Sequence, residues 1–208
     1  MQHANPTVLI IDDDPDVRES LQSLLRTVSI DSRAMQSFAE LLGAPLPSGP
    51  TCLVLDVRLP GRSGLDIQRE FAATGIDIPI IFITGHADIA MSVKAMKGGA
   101  IEFLTKPFRD QDLLDAIEVG LERDRSRCER ARQLGLLRER FETLTSRERE
   151  VFGHVVDGRL NKQIAGDIGI SVMTVKIHRG QVMRKMQAAS LPDLARMADR
   201  LREAGIFK

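Results

Sequence analysis

The sequence predicts an α/β doubly wound, five-stranded parallel sheet, followed by a long helix and an all-α four-helix domain. Three observations carry this reading. Short apolar runs at Val8–Ile11, Cys52–Leu55 and Pro79–Ile83 have the length and composition of strands buried on both faces. Helical patterns lie between them, and regular strand–helix alternation is what a parallel sheet with crossover helices requires. From Gln111 onward the pattern turns helical and stays so.

Taken in order, the first strand leads to a helix over Asp16–Thr27, with Val17, Leu21, Leu24, Leu25 and Val28 on one face. A weaker strand fits Ser32–Met35, and a helix fits Phe38–Leu42. Pro45, Pro47, Ser48, Gly49 and Pro50 mark a loop before the third strand, and Pro60-Gly61 a turn after it. Helices over Leu65–Ala73 and Ile89–Met96 flank the fourth strand, and Ala100–Leu104 makes the fifth. Leu113, Leu114, Ile117 and Leu121 then give an apolar face to a helix expected from Asp110 to about Gln133, charged in its second half. That stretch has no proline, so a helical connector is favoured over a structureless one. Four further helices are expected. The first is capped by Thr145 or Ser146 and ends at Gly158; the second is Asn161–Ile168. The third is Val172–Gln187 behind Ser171, and the fourth runs from Pro192 to about Glu203.

Charge divides the chain in the same way. Of 208 residues, the first 122 hold 18 Asp/Glu against 10 Lys/Arg, and residues 123–208 hold 11 against 19. A net of −8 beside a net of +8 suggests a cation as partner for one part and a polyanion for the other. The expected organisation is a domain over 1–122, a helical linker over 123–142 and a second domain over 143–208. No signal segment or membrane-length apolar run is present, two cysteines make no disulfide framework, and a cytoplasmic protein is expected. Absence of Tyr and Trp argues against a stacking platform for single-stranded nucleic acid.

The chemistry sits at strand ends. Asp12 and Asp13 follow strand one, Asp56 follows strand three, Thr84 ends strand four, and Lys106 follows strand five. Side chains at the carboxyl ends of neighbouring parallel strands converge on one crevice. Three carboxylates there call for a hard divalent cation, Mg²⁺ or alternatively Mn²⁺, with Asp12, Asp13, Asp56 and the backbone carbonyl of Arg58 as ligands. Asp56 is then a candidate nucleophile, with Lys106 pairing with the transferred group and Thr84 donating a hydroxyl hydrogen bond. Each residue alone has a bland explanation: a capped helix start, a turn lysine, a strand-end threonine. Their joint placement is what the bland explanations do not cover. Gly85 and the Gly98-Gly99-Ala100 turn are expected to shape backbone around this crevice, with His86 a loop residue beside it.

The runs Ile-Ile-Asp-Asp-Asp, Leu-Asp-Val-Arg-Leu-Pro-Gly-Arg-Ser-Gly, Ile-Thr-Gly-His-Ala and Gly-Ala-Ile-Glu-Phe-Leu-Thr-Lys-Pro-Phe resemble the receiver domains of two-component response regulators over about residues 5–122. The resemblance implies a CheY-like fold, Mg²⁺, and phosphoryl transfer to Asp56 from the phosphohistidine of a sensor histidine kinase. It also implies that Phe103 acts as an aromatic switch coupled to Thr84. Plain packing against the sheet edge is the other explanation for Phe103.

In the second half, Val172, Val175, Val182 and Met186 are expected in a core. Met173, Thr174, Lys176, Ile177, Arg179 and Gly180 then lie outward, with Arg184 and Lys185 near the helix end. Such a helix suits a major groove, with Lys162, Thr174, Arg179 and Lys185 as phosphate anchors; from charge alone, an ordinary amphipathic helix with a solvated basic face is the favoured reading. The segments Leu144–Val151, Asn161–Ala165, Ile170-Ser171 and Thr174–His178 are similar to the LuxR-type helix-turn-helix. The whole chain thus resembles the FixJ branch of the FixJ/NarL family. That implies double-stranded DNA as ligand, a homodimer on phosphorylation, RNA polymerase as a partner, and transcriptional activation rather than an enzyme, with slow self-dephosphorylation. Leu160 departs from the family pattern, so capping there is expected to pass to Asn161, and Gly180 stands where relatives carry longer side chains. Two other readings stand beside this one. One is an Mg²⁺-dependent phosphatase using Asp56, which lacks an acid two residues on because Arg58 stands there. The other is a DNA binder with a vestigial receiver.

Overall fold

The computed structural model describes residues 5–86 and 88–208. The chain forms two compact units, divided between Cys128 and Glu129. The elements of the first are β1 (Thr7–Ile11), α1 (Pro15–Thr27), β2 (Asp31–Met35), α2 (Phe38–Gly43), β3 (Thr51–Asp56), β4 (Arg58–Leu59), β5 (Arg62–Ser63), α3 (Gly64–Thr74), β6 (Ile80–Thr84), α4 (Ile89–Lys97) and β7 (Glu102–Thr105). Helix α5 (Asp110–Glu142) follows, then α6 (Ser146–Val156), α7 (Asn161–Ile168), α8 (Val172–Met186) and α9 (Leu191–Glu203).

Five strands pair in parallel in the order β2-β1-β3-β6-β7. Alternation along each strand makes two cores. Leu9, Ile11, Leu53, Leu55 and Phe82 pack with Phe38, Ile67, Phe71 and Ala95 of α2–α4 on one face. Val8, Ile10, Cys52, Val54, Ile81 and Ile83 pack with Leu21, Leu25, Leu113, Ile117 and Leu121 of α1 and α5 on the other. Burial on both faces is why these strands read as unbroken apolar runs. The chain leaves β1 toward one edge and returns to its other side at β3, and such a switch point opens a crevice above the two strand ends.

Several boundaries differ from the sequence reading. β7 starts at Glu102 because Gly98, Gly99 and Ala100 close α4 instead: Ala100 N–H donates to the Ala95 carbonyl at 3.2 Å and Gly99 has φ +89°. That turn precedes β7, at the opposite strand end from Lys106, so it does not shape the crevice. The Pro60-Gly61 turn closes a short antiparallel ribbon, β4–β5, too brief to leave a periodic pattern. Helix α5 runs on past Gln133 to Glu142. The reason is packing: Leu137 and Phe141 are buried in the second unit's core, with Val151, Phe152, Ile164, Val175, Val182, Met186, Leu194 and Leu201. Phe141, Phe152 and Phe207 meet edge to face in that core.

In the second unit, Thr145 is the residue that caps α6, and the reciprocal bond from the Thr145 N–H to Glu148 completes a capping box. Capping of α7 does not pass to Asn161, which lies inside the helix; Leu160 precedes it with no side-chain acceptor, and its N–H donates to Gln163 Oε1 at 2.9 Å. Val172, expected in the core, is exposed at the first turn of α8.

Candidate functional site

Residues from three strand ends meet above the β1/β3 switch point. Asp12 is fully buried, Asp56 nearly so, and Asp13 exposed at the mouth. Asp12, Asp13 and Asp56 each bring a carboxylate oxygen within 4.8 Å of the others. Lys106 Nζ bridges two of them, donating to Asp12 Oδ2 at 2.6 Å and to Asp56 Oδ2 at 3.0 Å. The remaining oxygens are held by backbone: Asp14 N–H donates to Asp12 Oδ1 at 3.0 Å, and Arg58 N–H to Asp56 Oδ1 at 2.8 Å. Asp14 itself is spent on capping α1, accepting from Asp16 N–H.

Sequence explains each position locally. β1 and β3 end at the carboxylates because acidic residues follow apolar runs directly. Lys106 is held close because its N–H donates to the Thr84 carbonyl at 2.7 Å, extending the β6–β7 ladder by one residue. Gly64, to which the sequence reading gave no role, opens α3 against the end of β3. A Cβ there would lie 2.6 Å from the Asp56 carbonyl oxygen and 3.1 Å from the Phe82 ring. Only glycine permits that approach. Its sequence signal is faint, a Ser-Gly pair after a turn.

The electrostatics are uneven. Burial drives the Asp12 carboxyl above the usual range, and the Lys106 and Asp14 hydrogen bonds recover only part of that. For Lys106 burial works the other way, yet the bonds to Asp12 and Asp56 hold its ammonium above the ordinary lysine value. Two carboxylates with oxygens within 4.8 Å of each other repel by at least about 3.5 kcal/mol at an effective dielectric of ~20. Three carboxylates against one ammonium leave a formal −2. A hard divalent cation with oxygen ligands fits that donor set, and Mg²⁺ is the ion receiver domains typically bind.

The side chains of two expected members have other partners. Thr84 is fully buried at the end of β6, and its hydroxyl is engaged with His86 backbone, donating to the carbonyl at 3.2 Å and accepting from the N–H at 3.3 Å. Phe103 is half-buried at the sheet edge, its ring 6.3 Å from that of Phe82.

On α8, Met173, Ile177, Gly180 and Arg184 recur at three- and four-residue spacing and share one exposed face, with Lys176 beside it. Val175, Val182 and Met186 line the buried face. Lys162 is exposed near the start of α7. Three expected phosphate anchors are occupied within the unit. Lys185 Nζ donates to Glu148 at 2.6 Å and to the Thr143 carbonyl at 3.1 Å. Arg179 pairs with Asn161 Oδ1, and the Thr174 hydroxyl lies 2.8 Å from Ser171 Oγ, the cap of its own helix. Each polar group is engaged by a neighbour, and for Lys185 and Arg179 that neighbour belongs to an element the linear sequence does not place beside it.

Comparison with known proteins agrees with both halves. Residues 8–118 match the response regulator receiver domain, and residues 142–198 match the bacterial regulatory proteins of the luxR family. Nodulation protein W of Bradyrhizobium diazoefficiens is 53% identical over 194 residues, 93% of this chain and 86% of the relative. The transcriptional regulatory protein FixJ of Rhizobium meliloti is 42% identical over 192 residues, 92% of this chain and 94% of its own length. Among solved structures, the response regulator StyR superposes with a TM-score of 0.85 at 44% identity, covering 95% of this chain and 100% of that one. No helix among the described residues is long and apolar enough to cross a membrane. An acidic strand-end cluster in the first unit and a helix-turn-helix in the second make this chain a member of the NarL/FixJ family, a two-component response regulator and not a classical enzyme.

Proposed function

We propose that Asp56 is the phosphoacceptor of an Mg²⁺-dependent switch that governs DNA binding. The observation that carries this reading is Lys106 Nζ seated between Asp12 and Asp56, with Asp13 at the mouth. Asp12, Asp13, Asp56 and the Arg58 carbonyl would hold the ion, which when bound screens the phosphoryl oxygens from the carboxylates. A carboxylate oxygen of Asp56 attacks phosphorus, the P–N bond of the kinase phosphohistidine breaks, and the imidazole leaves with that electron pair. Lys106 pairs with the incoming phosphoryl oxygens, as its high proton affinity suits. Slow hydrolysis of the acyl phosphate resets the protein.

Signal output then runs through Thr84 and Phe103. A phosphoryl oxygen competes with the His86 backbone for the Thr84 hydroxyl, and Phe103 turns into the space that Thr84 leaves. The receiver, residues 1–122, dimerises through the face around residues 87–121. The linker, residues 123–142, passes this to the DNA-binding domain, residues 143–208. Paired recognition helices bind two half-sites with the gain that bivalency gives. The DNA face comprises Met173, Lys176, Ile177, Gly180 and Arg184, with Lys162 on phosphate. Thr174, Arg179 and Lys185 reach phosphate only by exchanging the internal partners described above. Recruitment of RNA polymerase would make the protein an activator, acting in the cytoplasm with a cognate sensor kinase upstream.

Acetyl phosphate with Mg²⁺ tests this directly. Intact-mass measurement should find one phosphoryl adduct on the wild type and none on Asp56→Asn, and only the wild type should shift to dimer in light scattering. An adduct of equal yield on Asp56→Asn would refute the assignment.

A further inference from the structure

Helix α8 carries large apolar side chains where solvent, not core, surrounds them. Met173 is 66% exposed and Ile177 57% exposed, while Val175, Val182 and Met186 on the opposite face are completely buried. The outward pair therefore contributes nothing to the core. Gly180 completes the same strip one turn on, and a Cβ built there would meet nothing within 4 Å. Packing does not ask for glycine at this position, although glycine in a helix interior is less stable than alanine. A helix that keeps glycine on an exposed, apolar strip leaves room for a partner surface to come close.

Charge says what kind of partner. Lys176 and Arg184 are exposed on α8 beside the strip, and Lys162 is exposed on α7, all in the part of the chain with net charge +8. A second copy of so basic a surface would be repelled, whereas duplex DNA is attracted. Within the major groove the one apolar group that base edges offer is the C5 methyl of thymine.

We infer that Met173 and Ile177 select thymine, by burying two thymine methyl groups in the major groove of each half-site. This rests on the DNA-binding role of α8 proposed above. Side chains four residues apart on a helix stand about 6 Å apart, which is close to two base-pair steps at about 3.4 Å each. Each half-site should thus contain two T·A pairs separated by about two steps, in either strand orientation. Lys176 and Arg184 supply affinity through phosphate or guanine, and Gly180 lets the backbone of α8 approach.

The test uses the full chain with acetyl phosphate and Mg²⁺. Duplexes selected from random sequence identify the half-site, and each thymine in it is then replaced in turn by deoxyuridine. That change removes one methyl group and leaves base pairing and phosphate charge intact. At two positions per half-site binding should weaken about fourfold, the worth of one buried methyl. Other thymines should be indifferent. In Met173→Ala the penalty at one of the two positions should vanish, and in Ile177→Ala at the other. Both side chains are exposed, so circular dichroism of the variants should match the wild type. Wild-type protein that binds thymine and deoxyuridine duplexes equally would overturn the inference while leaving DNA binding intact. Enrichment of no duplex at all would overturn the DNA-binding reading, and this inference with it.

Discussion

Lys106 meets Asp12 at 2.6 Å in the first unit, and Lys185 meets Glu148 at 2.6 Å in the second. Both carboxylates are nearly inaccessible, and both lysines keep about a quarter or less of their side chain in solvent. Their surroundings separate them. Glu148 has the Lys185 ammonium and the Thr145 N–H, and among the described residues it belongs to no acidic cluster, so the charge closes. Its carboxyl is pushed up by burial, but the bonds from Lys185 and Thr145 outweigh this and bring it below the usual range. Asp12 shares its cation with Asp56 and has Asp13 nearby, and burial prevails. A buried ion pair whose charges balance is a structural fastening; one left with surplus charge is prepared for a ligand.

That contrast can be broken by removing each lysine in turn. Lys106→Met strands two carboxylates and should destabilise the first unit by on the order of 4 kcal/mol in EDTA. Millimolar Mg²⁺ should restore most of it by binding only the folded state. Lys185→Met strands one carboxylate that still accepts a backbone bond, and should cost the second unit about 3 kcal/mol. Here Mg²⁺ should restore nothing. Urea unfolding followed by far-ultraviolet circular dichroism measures both, because the chain has no Trp or Tyr for fluorescence. Equal rescue of both variants would erase the distinction.

A smaller effect sharpens it through pH. The folded pKa of Glu148 is depressed, so its stabilisation is present above the unfolded glutamate value and disappears as pH falls through the folded one. Asp12 is shifted the opposite way, so its charged form costs the first unit stability, and acidification through its window relieves that cost. On acid titration without Mg²⁺, the local contribution of Glu148 should therefore fall while that of Asp12 rises. Comparing the wild type with Glu148→Gln and Asp12→Asn by urea unfolding between neutral and acidic pH resolves the two slopes.

Much of the first unit could be read from the chain because its signals are local. Apolar runs give strands, and acids placed directly after them land at strand ends. Residues whose roles depend on distant partners were less visible. Val172 sits at a core-like helical spacing, yet it is exposed at the first turn of α8. Lys185 and Arg179 look like free cations until Glu148 and Asn161 are brought beside them. Asp124 is the sharpest case. It lies in the charged run Leu-Glu-Arg-Asp-Arg, indistinguishable from its exposed neighbours, and is fully buried. There it accepts from the Thr51 N–H at 2.8 Å and pairs with Arg127 Nε at 2.6 Å, so α5 is tied to the start of β3, the strand that ends at Asp56. Only tertiary structure reveals that a helix carboxylate satisfies a strand's first donor.

Just beyond that tie lies a practical asymmetry. Gly120 of α5 rests so closely on Cys52 that a Cβ there would come within 2.6 Å of the sulfur, and burial pushes the Cys52 thiol up to about 12. Cys128 sits about two helical turns on, partly open to solvent, at the last position of the first unit. Maleimide reagents should consequently modify the native chain at Cys128 alone, giving a spin or fluorescence reporter at the boundary between the two compact units without any engineered cysteine.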